Sequence, residues 1–103
     1  MVRCSQCGRA LEDQGNGAMM ASISGEVMGD EYTESYYFCG ACQVYTVQIW
    51  RERFCGEDSI RVTGPVSKPE GDAKVALIQK CSEPWNKKCR CAAHQEYFGP
   101  NLD

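Results

Sequence analysis

Eight cysteines and one histidine are the residues of this 103-residue chain whose types and spacing could do chemistry. Two pairs are separated by two residues, Cys4 with Cys7 and Cys39 with Cys42. A zinc ion takes four thiolates tetrahedrally at about 2.3 Å, and two cysteines spaced in this way can reach one ion from a tight turn. The pattern therefore predicts that these four cysteines form one metal site, called site 1.

Four further cysteines, Cys55, Cys81, Cys89 and Cys91, would fill a second four-thiolate shell, called site 2. In a regular helix Cys89 and Cys91 would diverge, because residues two apart do not share a helical face. His94 is the alternative ligand, since it would share a face with Cys91 if the segment were helical. The four-cysteine set is the predicted ligand set, and ordinary packing of buried free cysteines is the competing interpretation.

Zinc is the predicted cofactor of both sites, with two ions per chain. Rubredoxin-like iron would use the same four thiolates at site 1, so iron stays an alternative there. An iron–sulfur cluster is an alternative at site 2, although the chain lacks a ferredoxin-type run of cysteines. Thiol redox chemistry of the thioredoxin kind is disfavoured, because it needs a single pair at a helix N-terminus within a βαβ pattern.

The start of the chain and its hydropathy indicate a compartment. Arg3 and Cys4 follow Met1 closely, with no apolar stretch of the kind found in a secretory signal. No window approaches the roughly 18 consecutive apolar residues of a membrane span. The prediction is a cytoplasmic protein with no membrane contact. In a reducing compartment, paired cysteines more often bind metal or react than form structural disulfides.

The elements that position site 1 are predicted to be strands. Ala18–Met28 and Tyr32–Phe38 are consistent with a hairpin turning at Gly29-Asp30, and Val44–Trp50 is almost entirely β-branched or aromatic. The Cys39/Cys42 turn would link the second and third strands of an antiparallel meander. Glycine after a ligand cysteine allows positive φ, and the sequence has this feature at Gly8 and Gly40.

On these residues the N-terminal part, roughly 1 to 54, resembles a zinc ribbon. Cys4-Ser5-Gln6-Cys7-Gly8 is followed by strands, and Cys39-Gly40-Ala41-Cys42 leads into the strongest strand. A treble-clef module is less similar, because its second cysteine pair would begin a helix. The resemblance implies a binding module that contacts protein or nucleic acid, and it implies no catalytic residues.

The C-terminal third is predicted to be helical and cysteine-rich. Gly64-Pro65 and Lys68–Gly71 indicate a loop, after which Asp72 would cap a helix over Ala73–Lys80. A second helix would begin at Pro84, unless the cysteines bend that segment into a knuckle. The fold class is therefore α+β. A zinc-ribbon-like β domain (1–62) and a helical cysteine-rich segment (63–103) would pack as a single compact unit.

Composition narrows the function classes. The apolar fraction of 43% counts the eight cysteines, so the fraction that remains to build a hydrophobic core is smaller and the core is thin. A bound metal would help to stabilise such a domain. The net charge is −3, and no base lies between Arg9 and Arg51, so nucleic acid is an unlikely partner. Five bases between Lys74 and Arg90 are interpreted as a solvated helical face. The aromatic residues of the strands could stack on bases, but core packing and a protein contact are favoured, and Trp85 is predicted to cover site 2.

The sequence is thus interpreted as a small protein-interaction or accessory module with structural zinc, and not as an enzyme, because a four-thiolate shell leaves no open position for substrate. One alternative is an iron-based electron-transfer protein or a thiol redox protein. A second alternative is a ribbon that binds nucleic acid. The expected partner is a protein, and an exposed sheet edge also allows a homodimer.

Overall fold

The computed structural model describes residues 2–11, 19–27, 29–53 and 56–99. Within these residues, four strands form one antiparallel sheet in the order β1-β2-β3-β4, followed by two helices. The elements are β1 (Met19–Val27), β2 (Asp30–Cys39), β3 (Val44–Glu52), β4 (Ser59–Ser67), α1 (Lys68–Gln79) and α2 (Ala92–Phe98). The α+β class is confirmed.

The three predicted strands are present, and a fourth is added. Val27 pairs with Asp30 across the β1–β2 turn, where Gly29 has a φ of 86°. The two predicted ends of the first strand, Ala18 and Met28, lie outside the described residues. The prediction of a loop at Gly64-Pro65 is wrong, because β4 continues through this segment with a register shift in its pairing to β3. β4 also runs across the predicted domain junction at 62/63.

The first helix begins earlier than predicted. Ser67, and not Asp72, is its N-cap, and the Ser67 hydroxyl accepts from the Glu70 N–H at 3.4 Å. Pro69 lies in the first turn, where its missing N–H is harmless, so the loop predicted at Lys68–Gly71 is helical. Asp72 instead accepts a 2.6 Å hydrogen bond from the Tyr45 hydroxyl, which ties α1 to β3.

One face of the sheet carries the larger of the two buried clusters found among the described residues. Its buried residues come from β1, β2, β3 and α1, and they are Ile23, Tyr36, Tyr45, Val47, Val75 and Ile78. The opposite face, called the open face, carries the residues that alternate with these, among them Thr33, Trp50, Ile60 and Val62. Trp50, Ile60 and Val62 are exposed, so neither described helix covers them.

Gly71 sets the distance between α1 and the sheet. It is buried, and a Cβ at this position would lie 2.0 Å from the Tyr45 ring. Gly71→Ala would gain about 1 kcal/mol of helix propensity, but it forces α1 away from Tyr45, and overpacking of this kind costs roughly 1 to 3 kcal/mol. We therefore expect a lower melting temperature, measured by circular dichroism. A higher value would contradict the close approach.

Candidate metal centres

Site 1 is built from two turns with matching backbone hydrogen bonds. The Gly8 N–H donates to the Cys4 carbonyl at 2.9 Å, and the Gln43 N–H donates to the Cys39 carbonyl at 2.8 Å. In both turns the residue after the second cysteine has positive φ, 77° at Gly8 and 57° at Gln43. The prediction of positive φ is confirmed at Gly8. It is wrong at Gly40, because Gln43 takes the equivalent position.

Backbone N–H groups point at the first sulfur of each pair. Cys4 Sγ accepts from the Gln6 N–H at 3.4 Å and from the Cys7 N–H at 3.5 Å. Burial alone would raise the pKa of Cys4, but these two N–H groups, together with the Cys7 and Cys39 side chains, lower it to about 6. The N–H of Cys42 similarly lowers the pKa of Cys39. Both turns therefore stabilise a thiolate, which is the form that binds metal.

The four sulfur atoms of site 1 converge on one point. Each lies within 4.8 Å of the others, and Cys7 Sγ is 3.9 Å from Cys39 Sγ. Four sulfurs at about 2.3 Å from one ion in a tetrahedron would lie about 3.8 Å apart, whereas a disulfide needs about 2.0 Å. The spacing fits a shared ion. Cys4 and Cys39 are buried against Val2 and Leu11, and Cys7 is exposed.

The turn geometry makes a matched prediction for two glycines. A Cβ at either Gly8 or Gly40 would meet no atom within 4 Å, but only Gly8 has positive φ. Gly8→Ala should therefore lower the free energy of unfolding by about 1 kcal/mol, the cost of a left-handed backbone at a residue with a Cβ. Gly40→Ala, the control, should be close to neutral. Equal effects of the two substitutions, measured by denaturant unfolding, would contradict this account of the turns.

Site 2 gathers three cysteines and the histidine. Cys81, Cys89, Cys91 and His94 place their ligand atoms within 4.8 Å of one another. Cys81 Sγ lies 3.7 Å from Cys89 Sγ, and His94 Nδ1 lies 3.2 Å from Cys81 Sγ and 3.5 Å from Cys91 Sγ. In a zinc tetrahedron the nitrogen and sulfur ligands would be about 3.5 Å apart. Cys55, the fourth ligand that the sequence favoured, lies outside the described residues.

A hydrogen bond on the edge of the ring that points away from the sulfurs fixes the orientation of His94. The ring is fully buried, and Nε2 lies 2.9 Å from the Ser24 carbonyl oxygen. A carbonyl can only accept, so Nε2 is the donor, and in the neutral ring Nδ1 then presents its lone pair to the sulfurs. Metal-binding histidines almost always donate their other N–H in this way. The sequence offers no signal for the contribution of Ser24, because it is a backbone contact between residues 70 positions apart.

The segment that carries site 2 also covers an edge of the sheet. β1 is an outer strand, and Ser24 directs both backbone groups away from β2: its N–H donates to the Pro84 carbonyl at 2.8 Å, and its carbonyl accepts from His94. Unpaired edge groups would otherwise be open to pairing with another chain. Site 2 is therefore bound to β1 by two hydrogen bonds at one residue.

The segment that carries the site 2 ligands forms turns and then the short helix α2. The prediction of a helix from Pro84 is wrong, because Pro84–Arg90 forms turns. The Asn86 N–H donates to the Glu83 carbonyl, and the Cys89 N–H donates to the Asn86 carbonyl. This is the knuckle that the sequence left open as the alternative. Cys91 is the N-cap of α2, and its sulfur accepts from the His94 N–H at 3.5 Å. That N–H, together with the side chains of His94, Cys81 and Cys89, lowers the pKa of Cys91 to about 6, while burial raises the pKa of Cys81 to about 11.

Trp85 does not cover site 2. Its side chain is 70% exposed, so the prediction that it limits solvent access to the cluster is wrong. Ala93 is buried beside His94 in α2, and the Phe98 ring stacks on the His94 ring at 6.1 Å between centroids. Burial of the cluster therefore comes from α2 and β1.

Comparison with protein-family models, curated proteins and solved structures found no match to this chain. In the part of the chain that the structure describes, no helix has the length and apolar character needed to cross a membrane. Among the same described residues, two cysteine-rich groups could hold metal ions.

Proposed function

We propose that this chain is a small zinc protein with two structural ions, acting as a protein-interaction or accessory module. The observation that carries the proposal is the convergence of four ligand atoms in each of two groups, all within 4.8 Å. Cys4, Cys7, Cys39 and Cys42 would hold one ion. Cys81, Cys89, Cys91 and His94 would hold the other, with His94 in place of Cys55.

The donor sets favour zinc in a structural role. Four thiolates, or three thiolates and one imidazole, are the common closed shells of structural zinc. When bound, zinc would supply charge neutralisation for the crowded thiolates and crosslinks between distant segments. A closed shell leaves no position for water or substrate, so we propose that the chain is not an enzyme. The two similar turns of site 1 also support the zinc-ribbon-like description of the N-terminal part.

The surface charges support a protein partner over nucleic acid. Of the bases that could have formed a phosphate-binding face, Lys87 donates to Glu31, and Lys88 lies 3.4 Å from Glu26. Both lysines are therefore neutralised by the β1–β2 hairpin. Tyr36 and Tyr45 are buried in the core, so these two aromatic rings do not offer a stacking surface. A homodimer through an exposed edge of the sheet stays a prediction.

Metal removal tests the structural role. Excess chelator at neutral pH should unfold the purified protein, because binding free energy at such sites is folding free energy. The measurement is near-ultraviolet circular dichroism before and after chelation, with zinc added back to restore the signal. A chain that keeps its signal without metal would contradict the proposal. Visible absorption with bound iron would favour the electron-transfer alternative instead.

A further inference from the structure

A cavity lies between the open face of the sheet and the site 2 segment. It has a volume of about 130 Å³, and its walls include both tryptophans of the chain, Trp50 from β3 and Trp85 from the segment between Cys81 and Cys89. Trp85 is 70% exposed and Trp50 is 46% exposed. Large aromatic side chains lose a favourable burial free energy when they are left in water. Two of them at one cavity indicate a surface built for contact.

The same cavity places two carboxylates side by side. Glu31 and Glu52 are directly opposite each other in the β2–β3 register and both line the cavity. Like charges directly opposite on neighbouring strands are destabilising. Lys87 Nζ donates to Glu31, and the nearby Glu31 raises the pKa of Glu52. The lining thus holds two acids and one base, which gives it a net negative charge.

We propose that this cavity binds the cationic head group of a lysine or arginine side chain presented by a protein partner. An ammonium or guanidinium group is attracted to the face of an indole ring, and it would pair with Glu52, the carboxylate of the lining that Lys87 does not neutralise. The volume is well below the roughly 300 to 1,000 Å³ of sites for drug-sized ligands. It is several times the roughly 30 Å³ that one water molecule takes in the liquid, so it suits a single head group.

The inference rests on the proposed function, and it specifies what the protein partner presents, namely a lysine or arginine side chain. Trp85 and Lys87 lie between two ligands of site 2, and the segment is bound to Ser24 beside the cavity. The ion of site 2 would therefore fix one wall of the cavity, while the β-sheet supplies the other. Metal binding and partner binding are linked through this segment.

Intrinsic fluorescence tests the inference directly, because both tryptophans line the cavity. The zinc-loaded full chain is titrated with Nα-acetyl-lysine N-methylamide, and in parallel with the norleucine analogue, which has a neutral side chain of similar length. We expect a saturable change in emission with the lysine compound and none with the norleucine compound. Glu52→Gln and Trp85→Ala should each weaken binding by about fivefold or more, the loss expected for one cation contact.

Glu70→Gln is the matched control, since Glu70 is exposed on α1 and lies on the opposite side of the sheet from the cavity. It should bind the lysine compound as the parent does. Equal binding of the norleucine compound, equal affinities of the Glu52 and Glu70 variants, or no saturable change would overturn the inference. Metal content is measured on the same samples. If the chain carries two ions but does not bind the lysine compound, only this inference is contradicted. If the chain carries no metal, the proposed function is contradicted.

Discussion

Replacing Cys39 with serine is expected to abolish cooperative folding. Cys39 ends β2, is fully buried and lies 3.9 Å from the sulfur of Cys7. A structural zinc site contributes roughly 10 to 16 kcal/mol of apparent binding free energy, whereas a whole domain is stable by only about 5 to 15 kcal/mol. Losing one thiolate therefore removes a contribution as large as the net stability. The measurement is thermal unfolding by circular dichroism at neutral pH with zinc present.

Ala41→Ser is the matched control for Cys39→Ser. It places the same side chain in the same turn, at an exposed position that supplies no ligand. This variant should keep a cooperative transition close to that of the parent. A Cys39→Ser protein with the parental melting temperature would show that site 1 does not stabilise the fold.

His94→Ala is expected to release one metal equivalent and to lower the melting temperature by about 12 °C or more. The imidazole is fully buried, contacts two sulfurs through Nδ1 and is bound to the Ser24 carbonyl through Nε2. Removing a large buried side chain alone costs roughly 3 kcal/mol, and each kcal/mol corresponds to about 4 to 8 °C in a domain of this size. The sequence alone predicted that this variant would keep its metal.

His94→Cys separates coordination from packing. A cysteine restores a fourth ligand without the imidazole, so this variant should keep two ions per chain while losing the hydrogen bond to Ser24. Cys55→Ser should also keep both ions, because four other residues complete site 2. Two ions in His94→Ala, or one ion in Cys55→Ser, would return Cys55 to the ligand set.

The strands were predictable where the local pattern and the tertiary environment agree. The β-branched and aromatic run at Val44–Trp50 became the third strand, extended to Glu52. β4 escaped prediction because its side chains are mostly exposed and Gly64-Pro65 interrupts it, so it lacks the alternation that a half-buried strand shows. Its pairing depends on β3, which local sequence does not encode.

The start of α1 escaped prediction for a different reason. Pro69 and Gly71 are loop signals when considered alone. In the structure Pro69 occupies the first helical turn, and Gly71 is needed for the approach of the Tyr45 ring. Gly71 is thus explained by its contact with Tyr45, a residue 26 positions away, and no local rule could have predicted that contact.

The ligand groups show the same contrast. Site 1 was predictable because each cysteine pair lies in one turn, and the strand pattern brings the turns together. Site 2 draws its ligands from a knuckle and a helix, so its composition depends on how the chain bends between Cys81 and His94. The count of eight cysteines favoured two four-thiolate shells, whereas the buried histidine is found among three of them.

Metal analysis of the purified full chain tests the central claim most directly. The protein is expressed without added metal, dialysed, and measured for zinc and iron by mass spectrometry against protein concentration from amino-acid analysis. The account predicts two zinc ions per chain and no visible absorption. A chain that is folded with no bound metal, or that carries iron in place of zinc, would contradict it.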